Sequence, residues 1–426
     1  MSNTVPSGWS VHELGDLAHK IEGGGTPSRT EASFWNGDIP WATVKDLRAV
    51  SLRSTEEHIT ELGLKNSSSK LVPANTMIIA TRMAVGKAVF FNRDVAINQD
   101  LKAFHPKSET NWRFLLQWYL ANSEKIENLA TGSTVKGIRL DELRLLPIDL
   151  PPLPEQQKIA TILSSVDDVI EKTRAQIDKL KDLKTGMMQE LLTKGVGSGG
   201  VPHTEFKNSP VGRIPSSWGY ELLESVATIQ TGIAKNAKTE GDMIEVPYLR
   251  VANVQDGYLD LSEIKSIRID RSRLERFSLK DEDVLVNEGG DFDKLGRGAI
   301  WDGQISPCVH QNHVFVVRTD KSYLLPRFFN YLSGSQHGKK YYLGCAKQTT
   351  NLASLNSSQL KAFPVLLPPL EEQAAICDIL TSLDSKITLT ERKKATVEAL
   401  KKALMQDLLT GRVRVNVEKE ALSHVE

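Results

Sequence analysis

Residues 151–156 read PPLPEQ, and residues 368–373 repeat this motif as PPLEEQ, 217 positions later. The same offset aligns residues 151–196 with residues 368–413 without a gap, and about 20 of the 46 aligned pairs are identical. Identity at this level over such a stretch indicates an internal duplication, which has to be recognised before single elements are assigned. The chain is therefore predicted to contain one structural unit twice.

The sequence before each copy of the motif repeats more faintly. Residues 6–9 (PSGW) return as residues 215–218 (PSSW), and residues 39–41 (IPW) are echoed by residues 246–248 (VPY). The predicted order alternates variable α/β domains with conserved helices, an α+β fold with an internal pseudo-two-fold repeat. The predicted segments are a variable domain at 1–150, a helix at 151–196, a linker at 197–212, a variable domain at 213–367, a helix at 368–413 and a tail at 414–426.

Both conserved segments carry apolar residues at alternating steps of four and three, the heptad spacing of a coiled-coil seam. Each follows a proline pair that breaks any preceding helix, and each runs for roughly 40 residues or about 60 Å, more than one small domain can bury. The alternative is two ordinary amphipathic helices, each packed on its own domain. The predicted seam residues are Ile159, Leu163, Val166, Ile170, Ile177, Leu180, Ile376, Leu380, Leu383, Ile387, Leu404 and Leu408.

Polar residues interrupt the seam at the same places in both copies. Thr173 matches Thr390, and Lys184 matches Lys401, whereas Lys394 replaces Ile177. Polar seam residues cost stability but fix register, so their repetition indicates a specified pairing. A two-fold axis across the pair makes the helices antiparallel and puts the variable domains near opposite ends of a rod. Such an arrangement suits a bipartite DNA target, and an asymmetric one because the variable domains differ.

Composition narrows the class of protein. The 426 residues include 53 basic and 53 acidic side chains, so the formal net charge is zero. If the chain binds DNA, its own electrostatic attraction to the phosphates is expected to be modest. No apolar run approaches the ~20 residues of a membrane span, and the first 25 residues hold no signal core. The scattered Cys308, Cys345 and Cys377 lack C-x-x-C spacing, which predicts reduced thiols in a cytoplasmic protein and no metal site.

We find no motif for catalysis in the sequence. Neither N-P-P-[YF] nor D-P-P-[YF] occurs, and the glycine-rich residues 23–27 (GGGTP) lack dinucleotide-binding spacing, which favours a turn. Residues 288–293 (EGGDFD) are interpreted as a solvated turn rather than a metal loop. His310 and His313 lack neighbouring Cys or acidic ligands and are interpreted as a strand or polar cluster.

With these features in place, the sequence resembles the specificity subunits of type I restriction-modification systems. The resemblance rests on the L-P-P-L-x-E-Q signature at residues 150–156 and 367–373, and on residues 204–207 (TEFK) with 212–215 (GRIP) before Trp218. Residues 132–134 (GST) resemble the approach to the first helix, while the counterpart at 347–350 lacks the leading Gly-Ser. The resemblance covers essentially the whole chain.

The resemblance implies a non-catalytic protein with two target recognition domains that each read one half of a double-stranded DNA target. It implies that the helices dock two modification (methyltransferase) subunits, which bind S-adenosylmethionine and methylate adenine. Two restriction (nuclease/translocase) subunits using ATP and Mg²⁺ would complete a restriction enzyme. No cofactor is expected in this chain. The competing hypothesis is a coiled-coil scaffold that joins two non-DNA ligand-binding modules.

Candidate DNA contacts are loop residues that can hydrogen-bond to base edges or phosphates. An exposed, solvated side chain is the alternative for each of them. In the first domain the candidates are Lys45, Thr81, Arg82, Lys87, Ser133, Thr134, Lys136 and Arg139. In the second domain they are Arg250, Asn253, Asn287, Lys294, Arg297, Lys347, Gln348, Thr349 and Asn351.

Overall fold

The computed structural model describes residues 5–133, 135–197, 200–234, 241–290, 295–345 and 353–417. Within these ranges no helix has both the length and the apolar composition that a membrane crossing requires. The chain divides into two compact units, the first formed by Met1–Ala175 with Glu391–Glu426 and the second by Gln176–Thr390. Each unit therefore contains one variable domain and parts of both long helices.

The first unit is a mixed α/β domain. Its strands are β1 (Ser10–Glu13), β2 (Ala18–Gly23), β3 (Trp35–Ala42), β4 (Ser51–Leu52), β5 (Glu57–Ile59), β6 (Lys70–Val72), β7 (Met77–Ala80), β8 (Ala88–Phe91), β9 (Val95–Ile97), β10 (Leu101–Pro106) and β11 (Pro147–Leu150). Its short helices are α1 (Glu61–Lys65), α2 (Trp112–Ala121), α3 (Ser123–Glu127) and α4 (Leu140–Arg144), with 3-10 turns at Leu14–Leu17, Ala32–Phe34 and Val44–Asp46. The long helix α5 (Leu153–Lys194) begins in this unit.

Two sheets form the body of the first unit. One has the strand order β2-β10-β7-β8-β4, and the other has the order β5-β3-β9-β6. β7 reads MIIA and is buried at every position, as expected for a strand covered on both faces. α2 packs against this sheet with Phe114 and Tyr119 fully buried, in a core that also includes Ile159 and Leu163 of α5. The start of α5 is thus part of the domain core.

The second unit has a corresponding set of elements. Its strands are β12 (Phe206–Ser209), β13 (Gly212–Pro215), β14 (Gly219–Leu222), β15 (Ala227–Thr231), β16 (Met243–Leu249), β17 (Lys265–Asp270), β18 (Asp283–Asn287), β19 (Gly289–Gly290), β20 (Gly298–Trp301), β21 (Val309–His310), β22 (Val314–Thr319), β23 (Ala353–Ser354) and β24 (Pro364–Leu367). Its helices are α6 (Leu223–Val226), α7 (Leu274–Phe277), α8 (Pro326–Gly334), α9 (Gln336–Cys345), α10 (Ser357–Lys361) and α11 (Leu370–Leu408), with 3-10 turns at Val251–Asn253 and Arg271–Arg273.

The two units share strand order and register. The sheet β15-β22-β18-β20 repeats the order β2-β10-β7-β8, and β17-β16-β21 repeats β5-β3-β9. The pairing of Leu101 with Ala80 corresponds to that of Val314 with Asn287. β3 and β9 are parallel neighbours, as are β16 and β21. The predicted fold class, an α+β internal repeat of α/β domains and long helices, is confirmed.

The glutamate of the duplicated motif anchors each helix to its domain. Glu155 is buried and accepts a hydrogen bond from the Trp9 indole N–H at 3.1 Å and two from the Arg414 guanidinium at 2.7 and 2.8 Å. At the equivalent position Glu372 accepts a hydrogen bond from the Trp218 indole N–H at 3.0 Å. The repeated Trp–Glu pair therefore joins the start of each domain to the start of the helix that follows it.

The neighbouring glutamine bonds to backbone groups at two places, the start of a domain helix (α2 or α8) and the proline pair before its own long helix. The Gln156 carbonyl oxygen accepts from the backbone N–H of Asn111 at 2.8 Å, and that of Gln373 accepts from Leu325 at 2.8 Å. Each amide also donates to the carbonyl of the first proline of its own motif, at 2.8 and 2.9 Å. Both side chains are nearly inaccessible to solvent, so these bonds replace lost hydration. The E-Q pair is a structural anchor.

Every predicted seam residue is buried or half-buried. In the first unit Leu404 and Leu408 of α11 pack in the cluster that contains the start of α5. In the second unit Leu191 of α5 packs with Ile376 and Leu380 of α11. In each unit the beginning of one helix thus lies against the end of the other, which is the expected antiparallel pairing.

The seam lysines have partners that the sequence did not reveal. Lys401 forms an ion pair with Asp167 at 2.6 Å in the first unit, and Lys184 forms one with Asp384 at 2.6 Å in the second. Both lysines and both aspartates are related by the offset of 217 residues. Asp167 also accepts from the Gln117 amide at 2.7 Å. Each pair fixes the register of two antiparallel segments, and Asp167 also links the seam to its domain.

We expect the Lys401–Asp167 pair to show a coupling energy of about 1–2 kcal/mol in a double-mutant cycle of Lys401→Met and Asp167→Asn. Lys401 is only 14% exposed, so solvent screens this pair less than a surface pair. The measurement is urea denaturation of the four variants. The same cycle on the exposed i,i+4 pair Lys194–Glu190 should give at most about 0.5 kcal/mol. Equal coupling in both cycles would contradict a register role.

Candidate nucleic-acid interface

Three segments meet at one end of the β7–β10 pair in the first unit. The Thr81 carbonyl accepts from the backbone N–H of Ile138 at 2.9 Å, and the N–H of Met83 donates to the Lys136 carbonyl at 2.9 Å. The Thr81 N–H donates to the Asp100 carbonyl at 2.9 Å. The result is a backbone-braced surface that we call the first platform, formed by residues 81–87, 98–102, 131–133 and 135–139.

A glycine-rich segment at the end of β2 crosses beside the platform at close range. A Cβ on Gly24 would lie 1.8 Å from the Ile97 carbonyl oxygen, so only glycine fits there. The second unit repeats this crossing, because a Cβ on Gly232 would lie 2.2 Å from the His310 carbonyl oxygen. Gly23 ends β2, and Gly24 and Gly25 lie in the irregular segment that follows it. These glycines therefore form a close backbone crossing rather than the turn that the sequence predicts.

The first platform carries several cations around one carboxylate. Arg82 lies 3.6 Å from Asp100, and the Lys102 ammonium donates to the Gln99 carbonyl at 3.0 Å. Burial lowers the pKa of Lys102 from its ordinary value, Asp100 works against that shift, and Arg82 adds to it. Besides Arg82, the exposed candidates on the same surface are Lys87, Ser133, Lys136 and Arg139. The cations outnumber the single acid, so an anionic backbone could bind there.

Lys87 of the first platform reaches the segment that carries another candidate, Lys45. Its ammonium donates to the Leu47 carbonyl at 3.2 Å, next to the 3-10 turn Val44–Asp46 that carries the exposed Lys45. Thr43 caps this turn, and the Thr43 N–H donates a hydrogen bond to the Asp46 carboxylate at 2.8 Å. The described candidates of the first domain are therefore gathered in one region.

The second unit builds the same surface from different residues. The Leu355 N–H donates to the Glu288 carbonyl at 2.7 Å, the Glu288 N–H donates to the His313 carbonyl at 3.0 Å, and Gly289 pairs with Ser354. We call residues 287–290, 311–313 and 353–355 the second platform. The residues at equivalent places of the first and second platforms are Thr81 and Glu288, Arg82 and Gly289, and Asp100 and His313. One backbone frame thus presents two different sets of chemical groups.

One cation recurs at the same place in both frames. The carbonyl of Lys87 accepts from the backbone of β7, and the carbonyl of Arg297 accepts from the backbone of β18. The Arg297 guanidinium contacts the Gln255 side-chain oxygen at 3.3 Å. Arg250 is held at 3.5 Å from the carbonyl of Glu263. These second-domain candidates also lie together, around the turn Val251–Asn253.

Three candidates are buried and already bonded. Asn253 caps the turn Val251–Asn253 and donates to the carbonyls of Asp260 and Glu263, both at 2.9 Å. Asn287 donates to the Val254 carbonyl at 2.9 Å, and the Thr81 hydroxyl donates to the Asp100 carbonyl at 3.2 Å. A base contact from these side chains would require a change of conformation. Thr134, Lys294, Lys347, Gln348, Thr349 and Asn351 lie outside the described residues.

The histidine pair has no metal-binding geometry. The His310 ring donates from Nδ1 to the Val314 carbonyl at 2.7 Å, and burial lowers the pKa of His310 to about 4, so the ring is neutral at physiological pH. His313 instead contacts the Glu288 carboxylate through Nδ1 at 2.5 Å. Across the described part of the chain no group of three or more His, Cys, Asp or Glu residues could hold a metal ion.

Lys102 and Met83 belong to the first platform but were not singled out from the sequence. Lys102 reaches the platform because β10 pairs with β7 in the register that sets Lys102 opposite Ile79. This register depends on a pairing between distant residues, for which the local sequence contains no signal. Met83 is an apolar residue in a short loop, a position that polarity-based reasoning passes over.

Comparison with known proteins gives a consistent result. The sequence family described as the type I restriction modification DNA specificity domain matches residues 6–182 and 215–399. The specificity subunits of type I restriction enzymes MjaVIII and MjaIX from Methanocaldococcus jannaschii are 27% and 24% identical, over 96% of this chain and 94% and 95% of theirs. A crystal structure of a type-I restriction-modification system S subunit from M. genitalium matches with a TM-score of 0.59 at 14% identity, over 96% of this chain and 98% of that one. That likeness concerns the fold alone.

Proposed function

The chain belongs to the family of type I restriction-modification DNA specificity domains, and we propose that each of its two units reads one half of a split DNA target. Its part in such a system is that of a specificity subunit, which is not the catalytic subunit. The observation that carries the proposal is the repeated platform. Because the two frames agree in backbone and differ in side chains, the two halves of the target are expected to differ in sequence.

We further propose that the chemistry belongs to partners. Two modification subunits would dock on the paired helices α5 and α11, bind S-adenosylmethionine and methylate adenine, and restriction subunits using ATP and Mg²⁺ would join them. The balance of 53 basic and 53 acidic side chains supports a shared grip on DNA, since a chain with no net charge gains little from phosphate attraction alone. No cofactor is assigned to this chain.

Replacing Arg82 and Lys136 by alanine is expected to weaken DNA binding by the complex of this chain and its modification subunit. Both side chains are exposed cations on the first platform. If each side chain contacts a phosphate, the negative slope of log affinity against log salt concentration becomes shallower by about 2 in the double variant. Binding is measured by fluorescence anisotropy between 50 and 200 mM salt, concentrations chosen for the assay. Lys20→Ala, which removes an exposed cation paired with Glu22, should leave the slope unchanged. An unchanged slope in the double variant would remove the first platform from the interface.

The direct test of DNA reading is a band-shift assay of the chain with its modification subunit on genomic fragments. Fragments that share one split motif should shift, and scrambling either half of that motif should abolish the specific band. A band that survives the loss of one half would contradict reading by two units. Failure to shift any DNA would favour a scaffold for other ligands.

A further inference from the structure

Met83 occupies a backbone conformation that its side chain disfavours. Its φ is +61°, in the left-handed region that glycine and asparagine adopt far more often than methionine. The N–H of Ala84 donates to the Arg82 carbonyl at 2.7 Å, which closes a three-residue turn with Met83 at its centre. A methionine here raises the cost of the turn without contributing to the core, because the residue is 64% exposed.

The surroundings hold this turn in place. The Met83 N–H donates to the Lys136 carbonyl at 2.9 Å, and Arg82 forms a backbone bridge with Gly137. Both neighbours, Arg82 and Lys136, are exposed cations. A long apolar side chain is therefore presented to solvent from a braced turn between two positive charges. Backbone strain persists at this exposed position because the surrounding hydrogen bonds maintain it. Such strain is typical of functional sites and indicates that the side chain takes part in binding.

We propose that Met83 is an apolar wedge that enters the base stack at one step of the half-site read by the first unit, with Arg82 and Lys136 on the flanking phosphates. Methionine is among the side chains that unstack a base step and bend the duplex. Wedge insertion removes the thioether from water and makes the local shape of the step part of the readout. This inference rests on the proposed function.

The second unit supplies a natural comparison. Gly290, which pairs with Ala353, stands at the place that Met83 holds in the first platform, opposite Lys136. Glycine has no side chain to insert. The distortion is therefore expected at the first half-site only, and Met83→Gly gives the first platform the residue that the second already has.

The test uses the complex of the full chain and its modification subunit on duplexes that carry the split motif found by methylation sequencing. 2-Aminopurine replaces each adenine of the first half-site in turn, except the one that becomes methylated. In the wild type, fluorescence at one step should rise on binding. Met83→Gly should abolish that rise and weaken binding on the order of tenfold, comparable to one mismatched base pair. Met83→Leu should retain both.

The outcomes separate the wedge from a structural role and from the proposed function. Met83→Gly removes backbone strain, so its thermal midpoint should equal or exceed that of the wild type. A variant that binds with wild-type affinity and unchanged fluorescence would overturn the wedge, and so would an equal rise at the second half-site. Failure of the wild type to bind any split motif would instead overturn the proposed function.

Discussion

Glu372→Ala is expected to lower the free energy of unfolding of the second unit by about 3–5 kcal/mol, the cost of leaving buried partners of a charge unpaired. Glu372 accepts hydrogen bonds from the backbone N–H groups of Val196 and Gly197, both at 2.9 Å, from His203 at 2.8 Å, and from the Trp218 indole. Alanine would orphan all four donors and detach the start of α11 from the domain. Urea denaturation measures the free energy of unfolding. Hydrogen exchange in peptides from β14 and α11 shows whether the loss of protection is confined to this junction.

Glu371→Ala is the matched control for this prediction. Glu371 is the neighbouring glutamate, exposed where Glu372 is buried, and its loss should change stability by less than about 0.5 kcal/mol. Glu372→Gln should fall between the two, because an amide oxygen can still accept some of the bonds. Equal stability of the Glu371 and Glu372 alanine variants would show that the motif glutamate is not an anchor.

The same carboxylate predicts a dependence of stability on pH. Burial works to raise the pKa of Glu372, but hydrogen bonds from Gly197, His203 and Trp218 outweigh it and hold the pKa below its ordinary value of 4.5. A carboxyl with a depressed folded-state pKa stabilises the fold above the unfolded value and loses that contribution as pH falls through the folded value. The second unit should therefore weaken below about pH 4.5, and Glu372→Gln should flatten that part of the profile.

Duplicating residues 169–175 in α5 and 386–392 in α11 is expected to lengthen the spacer of the DNA target and leave both half-sites unchanged. Seven residues add about 10.5 Å of helix, equivalent to about three base pairs. The duplications fall between Asp167 and Lys184 and between Asp384 and Lys401, so both ion pairs keep their partners. An insertion directly beside Lys184 and Lys401 would instead shift α5 against α11 next to an ion pair.

Methylation sequencing of cells that carry the duplicated gene and its modification subunit measures this effect. A duplication in α5 alone is the control, and it should reduce methylation because it displaces one ion pair relative to the other. Altered half-sites with an unchanged spacer would contradict a helix-set spacing. So would full methylation by the single duplication, since that would show that register along the seam has no consequence.

The sequence predicted the long helices and their pairing because two packed helices require apolar residues at heptad spacing. That spacing is a periodic signal that can be recognised in the local sequence. It did not identify Asp167 and Asp384 as partners of the seam lysines. On a helix rich in charge, a carboxylate is recognisable as a partner only after the antiparallel register is known. The burial of Glu155 and Glu372 was hidden for a similar reason, because their donors come from distant segments of the chain.

For the candidate interface, the sequence selects Arg82, Lys87 and Arg297 only as loop cations that can hydrogen-bond to phosphates or base edges. The same reasoning could not separate these residues from Asn253 and Asn287. Both asparagines also sit at strand or turn ends, yet their amides are used inside the fold. Whether a polar loop residue caps a turn or faces solvent depends on backbone geometry that composition does not specify.

The central claim is that two units with the same backbone and different side chains each recognise a different half-site. It is tested most directly by methylation sequencing of a host that carries this chain and its modification subunit. The expected result is a single motif of two different blocks separated by a constant number of unspecified base pairs, with one methylated adenine on each strand. A contiguous motif, or one block repeated as an inverted copy, would contradict the account.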